Sequence, residues 1–120
     1  MVTGGTKGIG RAIIEKFASE GFNIATCSRN EKDLKSLKDQ VRDQYSVKVM
    51  TSRVDVSKKE DLERFFGEVR SEISKLDVLV NNAGVFIPGA VHEEEVGALE
   101  KKIETNLYSA YRTTRAFVEP

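Results

Sequence analysis

The residues with the clearest chemical potential lie at the front of the chain, in Thr3-Gly4-Gly5-Thr6-Lys7-Gly8-Ile9-Gly10. Glycines let a backbone turn tightly and approach a ligand with no side chain in the way. A helix beginning at such a turn offers free N–H groups and a positive dipole end to a phosphate. The alternative is a glycine-rich strand-to-helix turn that binds nothing. Gly5 and Gly10 have the spacing of a P-loop, but Arg11-Ala12 follows. The lysine that reaches the β/γ-phosphates and the hydroxyl that holds magnesium are both missing, which excludes that chemistry. The G-x-G-x-x-G/A dinucleotide fingerprint is also imperfect, since Gly8-Ile9-Gly10-Arg11-Ala12 runs into Ile13.

Other reactive side chains are sparse. His92 is the single histidine and stands beside Glu93-Glu94-Glu95. Consecutive side chains at a helix start do not converge on a metal, so these carboxylates are expected to stabilise the positive end of the following helix. No metal site is expected. Cys27 lies in an apolar run and is expected to be a buried thiol. Asp55 follows a strand-like run, as a phosphoacceptor aspartate would, but that chemistry needs acidic metal ligands after the first strand. Gly4-Gly5 stand there instead, so a receiver domain is rejected.

The elements that must position these residues follow from periodicity. Asn23–Ser28, Val47–Val54 and Asp77–Asn81 are short runs with β-branched residues and are predicted strands, and Val2-Thr3 is the tail of another. Ile9–Glu20 is a predicted helix ending at Gly21. Glu31–Tyr45 is a second, with Asn30 as N-cap and Leu34, Leu37 and Val41 on one stripe. Ser57-Lys58-Lys59-Glu60 has the pattern of a capping box, followed by Leu62, Phe65, Phe66, Val69 and Ile73 at helical spacing. A last helix, from about Glu95 to Glu119, is expected to align Val96, Leu99, Ile103, Leu107 and Ala110 on one apolar face, with Asn106 on that stripe. Strand and helix alternate, which implies an α/β fold with a parallel sheet and right-handed crossovers.

The glycine turn matches T-G-x-x-x-G-x-G through Thr3, Gly4, Gly8 and Gly10. Asp55-Val56 follows the third strand, Asn81-Asn82-Ala83-Gly84 ends the fourth, and Asn106 lies in the last helix. In this ordered combination the chain resembles the short-chain dehydrogenase/reductase family from residue 2 to about 118. The resemblance implies a Rossmann-like doubly wound parallel sheet of about four strands and four helices over residues 1–120, truncated at both ends. It also implies an NAD(P)-binding role for Gly4, Thr6, Lys7, Gly8, Ile9, Gly10, Ser28, Arg29, Asp55, Val56, Asn82, Ala83 and Gly84. In the family, the aspartate matching Asp55 contacts adenine; the alternative is a helix cap. Asn82-Ala83-Gly84 would pass beneath the ribose and nicotinamide, while Asn81 and Asn82 alternatively serve turn chemistry and support the sheet. Asn106 matches the family's catalytic asparagine, which holds a water in a proton relay. The alternative is a structural amide, whose burial without partners would cost about 1–3 kcal/mol.

Charge selects the cofactor. A site preferring NAD usually has a carboxylate near the end of the second strand. Ser28-Arg29 stand there, and a guanidinium pairs with a 2′-phosphate that a carboxylate would repel. Lys7 is a second cation, so NADP(H) is expected and NAD(H) is the alternative; otherwise Lys7 and Arg29 are solvated surface charges. The family's serine and Tyr-x-x-x-Lys are absent. Tyr108 with Arg112 and Tyr111 with Arg115 mimic that spacing too early in the fold, and are expected to be surface or interface residues. The expected whole is an oxidoreductase moving hydride between nicotinamide and a small carbonyl or alcohol substrate, carbonyl or 3-oxoacyl reductase-like. This chain alone is expected to be inactive. The competing reading is a non-catalytic dinucleotide-binding module or a truncated product.

Composition narrows the partners. The chain has 120 residues, 39% hydrophobic and 32% charged, enough for one domain that buries about two-thirds of its unfolded surface. Nineteen basic residues balance nineteen acidic ones, which argues against general nucleic-acid or membrane binding. No apolar run approaches the roughly 18 residues of a membrane span, and the N-terminus lacks a signal-peptide pattern. The lone cysteine fits a reducing, cytoplasmic compartment. The family resemblance also implies that the last helix pairs across a homo-oligomer interface.

Overall fold

A computed structural model of the chain describes residues 1–118. Three parallel strands, β1 (Val2–Thr3), β2 (Ile24–Ser28) and β3 (Val49–Arg53), form a sheet in that order. Helices α1 (Gly8–Ser19), α2 (Glu31–Tyr45) and α3 (Lys59–Glu72) alternate with them. The expected α/β parallel fold is therefore present, with one strand fewer than predicted. Asp77–Asn81 is not a strand: it makes a single parallel bridge, Val80 to Val2, on the free edge of β1. The Thr3 N–H donates to the Val80 carbonyl at 3.1 Å, and the Val80 N–H to that of Met1 at 2.9 Å. A two-residue β1 offers too short a ladder to define a longer partner.

The sheet is covered on both faces because side chains alternate along each strand. Ile24, with Val2 and Val49, packs against Ile14, Ala18, Leu37 and Val41 of α1 and α2. Ala25 and Cys27 face the other way, onto Leu62, Phe65, Phe66 and Val69 of α3. Helix α1 ends at Glu20 with Gly21 at φ 87°, where a residue bearing a Cβ is strained. The Asn30 side chain caps α2 by accepting the Asp33 N–H at 3.1 Å.

The capping box is a correction. Helix α3 has Lys58 as its N-cap, with no side-chain bond. The Ser57 hydroxyl and N–H turn back onto Asp55 Oδ1, at 2.6 and 3.0 Å, so Ser57 is spent on a local turn and cannot cap the helix. Ile73, the end of the predicted stripe, is the half-buried C-cap of α3.

The last helical run is also revised. It comprises α4 (Ala98–Lys102), a wider π-helical segment (Ile103–Tyr108) and α5 (Ser109–Phe117), continuous through right-handed helical dihedrals at Ile103 and Ser109. It starts at Ala98 rather than Glu95, and its predicted end at Glu119 lies outside the described residues. The predicted apolar face is split: Val96, Leu99 and Leu107 are exposed and Ile103 and Ala110 half-buried, whereas Ala98, Ser109 and Thr113 are buried. The π segment shifts the helical phase, so a straight 3.6-residue projection fails across it. Polar Ser109 and Thr113 are accepted inside because their hydroxyls bond the carbonyls of Thr105 and Ser109, four residues back. The other end of α5 is stapled to α3 by Phe66 against Phe117, edge to face at 5.3 Å between ring centroids.

Cys27 is fully buried beneath the glycine turn. Burial pushes its thiol up to about 11, against a smaller opposing effect of the Gly4 backbone hydrogen bond. A raised thiol pKa means the folded state favours the neutral form. Its stabilisation is complete below the unfolded value near 9 and is lost as pH rises towards about 11. At about 1.4 kcal/mol per pH unit, the loss amounts to roughly 3 kcal/mol. Denaturant titrations at pH 8 and 11 should show this fall in wild type and a smaller one in Cys27→Ala. At pH 8 a thiol reagent should label Cys27 only as the chain unfolds.

Candidate functional site

The chain leaves β1 at Thr3 and turns through Gly4 (φ 67°) and Gly8 (φ 58°), both in the left-handed region that favours glycine. The Gly4 N–H donates to the Cys27 carbonyl at 3.0 Å, which ties the turn to β2. Two further glycines are required by space. A Cβ on Gly5 would lie 2.2 Å from Ile14 Cδ1 and 2.5 Å from Thr26 Oγ1. One on Gly10 would lie 2.4 Å from Asn82 Nδ2 and 2.7 Å from the Gly4 carbonyl oxygen. Around Gly8 a Cβ would meet nothing within 4 Å, so the entry to α1 is open. Gly8 and Ile9 are exposed there, and Lys7, the N-cap, makes no side-chain cap bond. Free N–H groups and a dipole end are thus presented beside the turn.

Beyond the turn, Gly4, Thr6, Lys7, Ser28, Arg29, Asp55, Val56, Asn82, Ala83 and Gly84 line one cleft of about 750 Å³. It lies at the carboxyl ends of the strands, where open parallel sheets bind ligands. The Thr6 hydroxyl reaches the Ser28 hydroxyl at 3.5 Å. Arg29 is exposed at the rim, and its carbonyl accepts from Arg53 Nε at 3.3 Å. Lys7 pairs with Asp33 at 3.4 Å. Burial raises the Asp55 pKa, but hydrogen bonds from the Ser57 side chain and backbone, with the charges of Arg29 and Lys58, outweigh it and leave the carboxyl below its ordinary value. Asp55 is therefore anionic at neutral pH, with its Ser57 bonds on Oδ1.

The far wall is built by Asn82, which acts first as a brace. Its Nδ2 donates to the carbonyls of Thr3 (3.2 Å) and Gly4 (2.9 Å), and Thr3 Oγ1 accepts the N–H groups of Asn82 and Ala83, both at 3.1 Å. The Asn81 amide donates to the Thr114 hydroxyl at 2.9 Å, joining this segment to α5. Turn support is thus observed for Asn82, whereas the Asn81 side chain is bonded to a helix instead. Asn106 is a correction in its environment: it is exposed, not buried on an apolar stripe. Its Oδ1 accepts the Val85 N–H at 2.6 Å and its Nδ2 donates to the Val85 carbonyl at 2.8 Å. Both ends of the amide are satisfied by one residue, which fastens the wall to the π segment.

Thr3, Gly5, Thr26 and Asp33 escaped the sequence-level set of site residues. Thr26, fully buried, accepts the Gly5 N–H at 3.2 Å and donates to the Val2 carbonyl at 2.6 Å. A threonine in mid-strand between apolar Ala25 and Cys27 is the signal that could have singled it out. The charged groups near His92 also rearrange. Glu93–Glu95 precede the helix instead of sitting in its first turn, and Glu94 pairs with Lys102. His92 is exposed in the 3₁₀ turn Val91–Glu93. The Arg112 guanidinium stacks 5.2 Å from the Tyr108 ring and pairs with Glu104 at 3.1 Å, and Arg115 donates to the Tyr111 hydroxyl at 3.3 Å, so both arginines are engaged within their own helical run. No described helix is long and apolar enough to cross a membrane.

The sequence and fold have clear relatives. The family model for short chain dehydrogenase matches residues 1–120. An uncharacterized oxidoreductase of Staphylococcus saprophyticus is 32% identical over 116 residues, covering 97% of this chain and 50% of the relative. A tropinone reductase homolog of Arabidopsis thaliana is 37% identical over 116 residues, covering 96% and 43%. L-Sorbose reductase from Gluconobacter frateurii, solved with NADPH and L-sorbose, superposes with a TM-score of 0.92 at 32% identity over 97% of this chain and 44% of that one. The chain spans about half the length, or less, of the relatives it matches.

Proposed function

We propose, from the premise that the chain belongs to the short-chain dehydrogenase family, that it is the NADP(H)-binding half of an oxidoreductase acting on a small or carrier-linked carbonyl or alcohol substrate. The observation that carries this reading is Lys7, the N-cap of α1, sharing one cleft with Ser28 and Arg29, with no carboxylate at the end of β2. The cleft's residues fit such a cofactor by shape as well as charge. Gly8 leaves the helix entry open, and Ala83 and Gly84 form a wall of small residues on which a ribose and nicotinamide can lie.

When bound, the cofactor supplies hydride chemistry. The chain's own groups have positional tasks. The α1 N–H groups receive the pyrophosphate, Ser28 and Arg29 receive the 2′-phosphate, and Asp55 and the Val56 N–H receive the adenine edge. Asn106 holds Val85 and, with it, the wall under the reacting ring. A cytoplasmic setting, where NADPH and a reduced Cys27 are both maintained, agrees with this reading.

The test is cofactor titration of the 120-residue chain. NADPH should bind more tightly than NADH, and Arg29→Glu should reverse the order by about tenfold or more, the span of a charge-assisted hydrogen bond lost and a repulsion gained. No carbonyl-dependent NADPH oxidation is expected, because no Tyr-x-x-x-Lys occurs in residues 1–120. Equal affinity for the two cofactors, unmoved by Arg29→Glu, would sink the NADP(H) reading.

A further inference from the structure

The geometry points to Asp33 as a specificity-determining residue that holds Lys7 as its counter-ion and thereby opposes binding of the 2′-phosphate. This inference rests on the NADP(H) reading above. Lys7 Nζ lies 3.4 Å from Asp33 Oδ2, with the lysine side chain 79% exposed and the aspartate 32%. The carboxylate is thus the fixed member of the pair and the ammonium the mobile one.

Its position is set by the helix. Asp33 lies in the first turn of α2, its N–H bonded to Asn30 Oδ1, where a carboxylate interacts favourably with the helix dipole. Asp33 lines the same cleft as Lys7, Ser28, Arg29 and Asn30.

A phosphate monoester entering beside Ser28 meets Arg29, which has Arg53 Nε 3.3 Å from its carbonyl, and a Lys7 ammonium that is already engaged. To recruit Lys7 it must displace Asp33, and the carboxylate then remains nearby as a like charge. Exposed ion pairs are weak, so the exchange proceeds at a modest cost in affinity. A dinucleotide without the 2′-phosphate makes no such demand on Lys7. Asp33 therefore narrows the preference for NADPH over NADH that Arg29 and Lys7 establish. Sequence alone conceals this, because a carboxylate three residues after an N-cap is the ordinary dress of a helix start.

The experiment is titration of the 120-residue chain with NADPH and with NADH, following nicotinamide fluorescence, for wild type, Asp33→Asn, Asp33→Ser, Lys7→Ala and Arg29→Ala. Both Asp33 variants should shift the ratio of dissociation constants towards NADPH by about twofold to fivefold, the span of an exposed ion pair. The shift should shrink in 0.5 M salt as the charges are screened. Far-UV dichroism and thermal melts run alongside, so that both variants are compared below their own midpoints. A ratio that stays put, or that moves towards NADH, in both Asp33 variants overturns the proposal. Failure of the underlying reading looks different: the ratio would then be indifferent to Lys7→Ala and Arg29→Ala as well.

Discussion

Gly10→Ala is expected to destabilise the chain and weaken NADPH binding by tenfold or more, although alanine is the better helix former. Gly10 lies inside α1, where the change to alanine would on propensity alone add about 1 kcal/mol of stability. Sterics oppose it. The new methyl would fall 2.7 Å from the Gly4 carbonyl oxygen and 3.1 Å from Gly5 Cα, both backbone, and 2.4 Å from the Asn82 amide. Backbone cannot swing aside, so the turn and α1 must separate, at the 1–3 kcal/mol typical of overpacking or more. The displaced groups are those proposed to receive the pyrophosphate, so affinity falls with stability. Gly67→Ala is the internal control: it lies in α3, a Cβ there meets nothing within 4 Å, and it should stabilise by roughly 0.5–1 kcal/mol. Denaturant unfolding and NADPH titration of both variants decide the matter. A Gly10→Ala chain as stable as Gly67→Ala, with wild-type affinity, would show that the close approach is not required.

Thr3→Val carries the second large effect. Valine has nearly the shape of threonine, so the packing at this buried position is preserved. What disappears is the oxygen that accepts the N–H groups of Asn82 and Ala83. Leaving a buried donor without a partner costs about 1–3 kcal/mol. The segment is only part-buried, so water can recover some of this; a loss of about 2–4 kcal/mol for the two donors is expected. Because Asn82 also braces the carbonyls of Thr3 and Gly4, the wall and the glycine turn should loosen together, and NADPH affinity should drop several-fold. Thr3→Ser keeps the oxygen and should retain most of both. Stability within 0.5 kcal/mol of wild type in Thr3→Val would mean that the two bonds contribute nothing net.

The alternation of elements, the Asn30 cap, the Gly21 stop and the stripe Leu34–Leu37–Val41 were legible because each depends on a few neighbouring residues. So was the glycine turn, since positive φ at Gly4 and Gly8 is a local requirement met by one residue type. Ser57 shows the limit even at short range: the same hydroxyl fits a capping box or an Asp55 turn, and only the path of the chain after β3 chooses between them.

What the sequence determined by itself is therefore the α/β order, the apolar faces of α2 and α3, the family and the residue types of the cleft. The tertiary structure decided the rest, because it depends on distances between residues far apart in the chain. It decided that Gly5 and Gly10 are glycine for lack of room, against Ile14 and Asn82, rather than for backbone freedom. It made Thr3 and Thr26 the hydrogen-bonding floor of the turn and paired Lys7 with Asp33. It left Leu99 and Leu107 exposed and turned Ser109 and Thr113 inward, their hydroxyls bonded to backbone carbonyls four residues back. Periodicity carries no information about which hydroxyl finds which carbonyl, and in this protein those long-range bonds hold the cleft in shape.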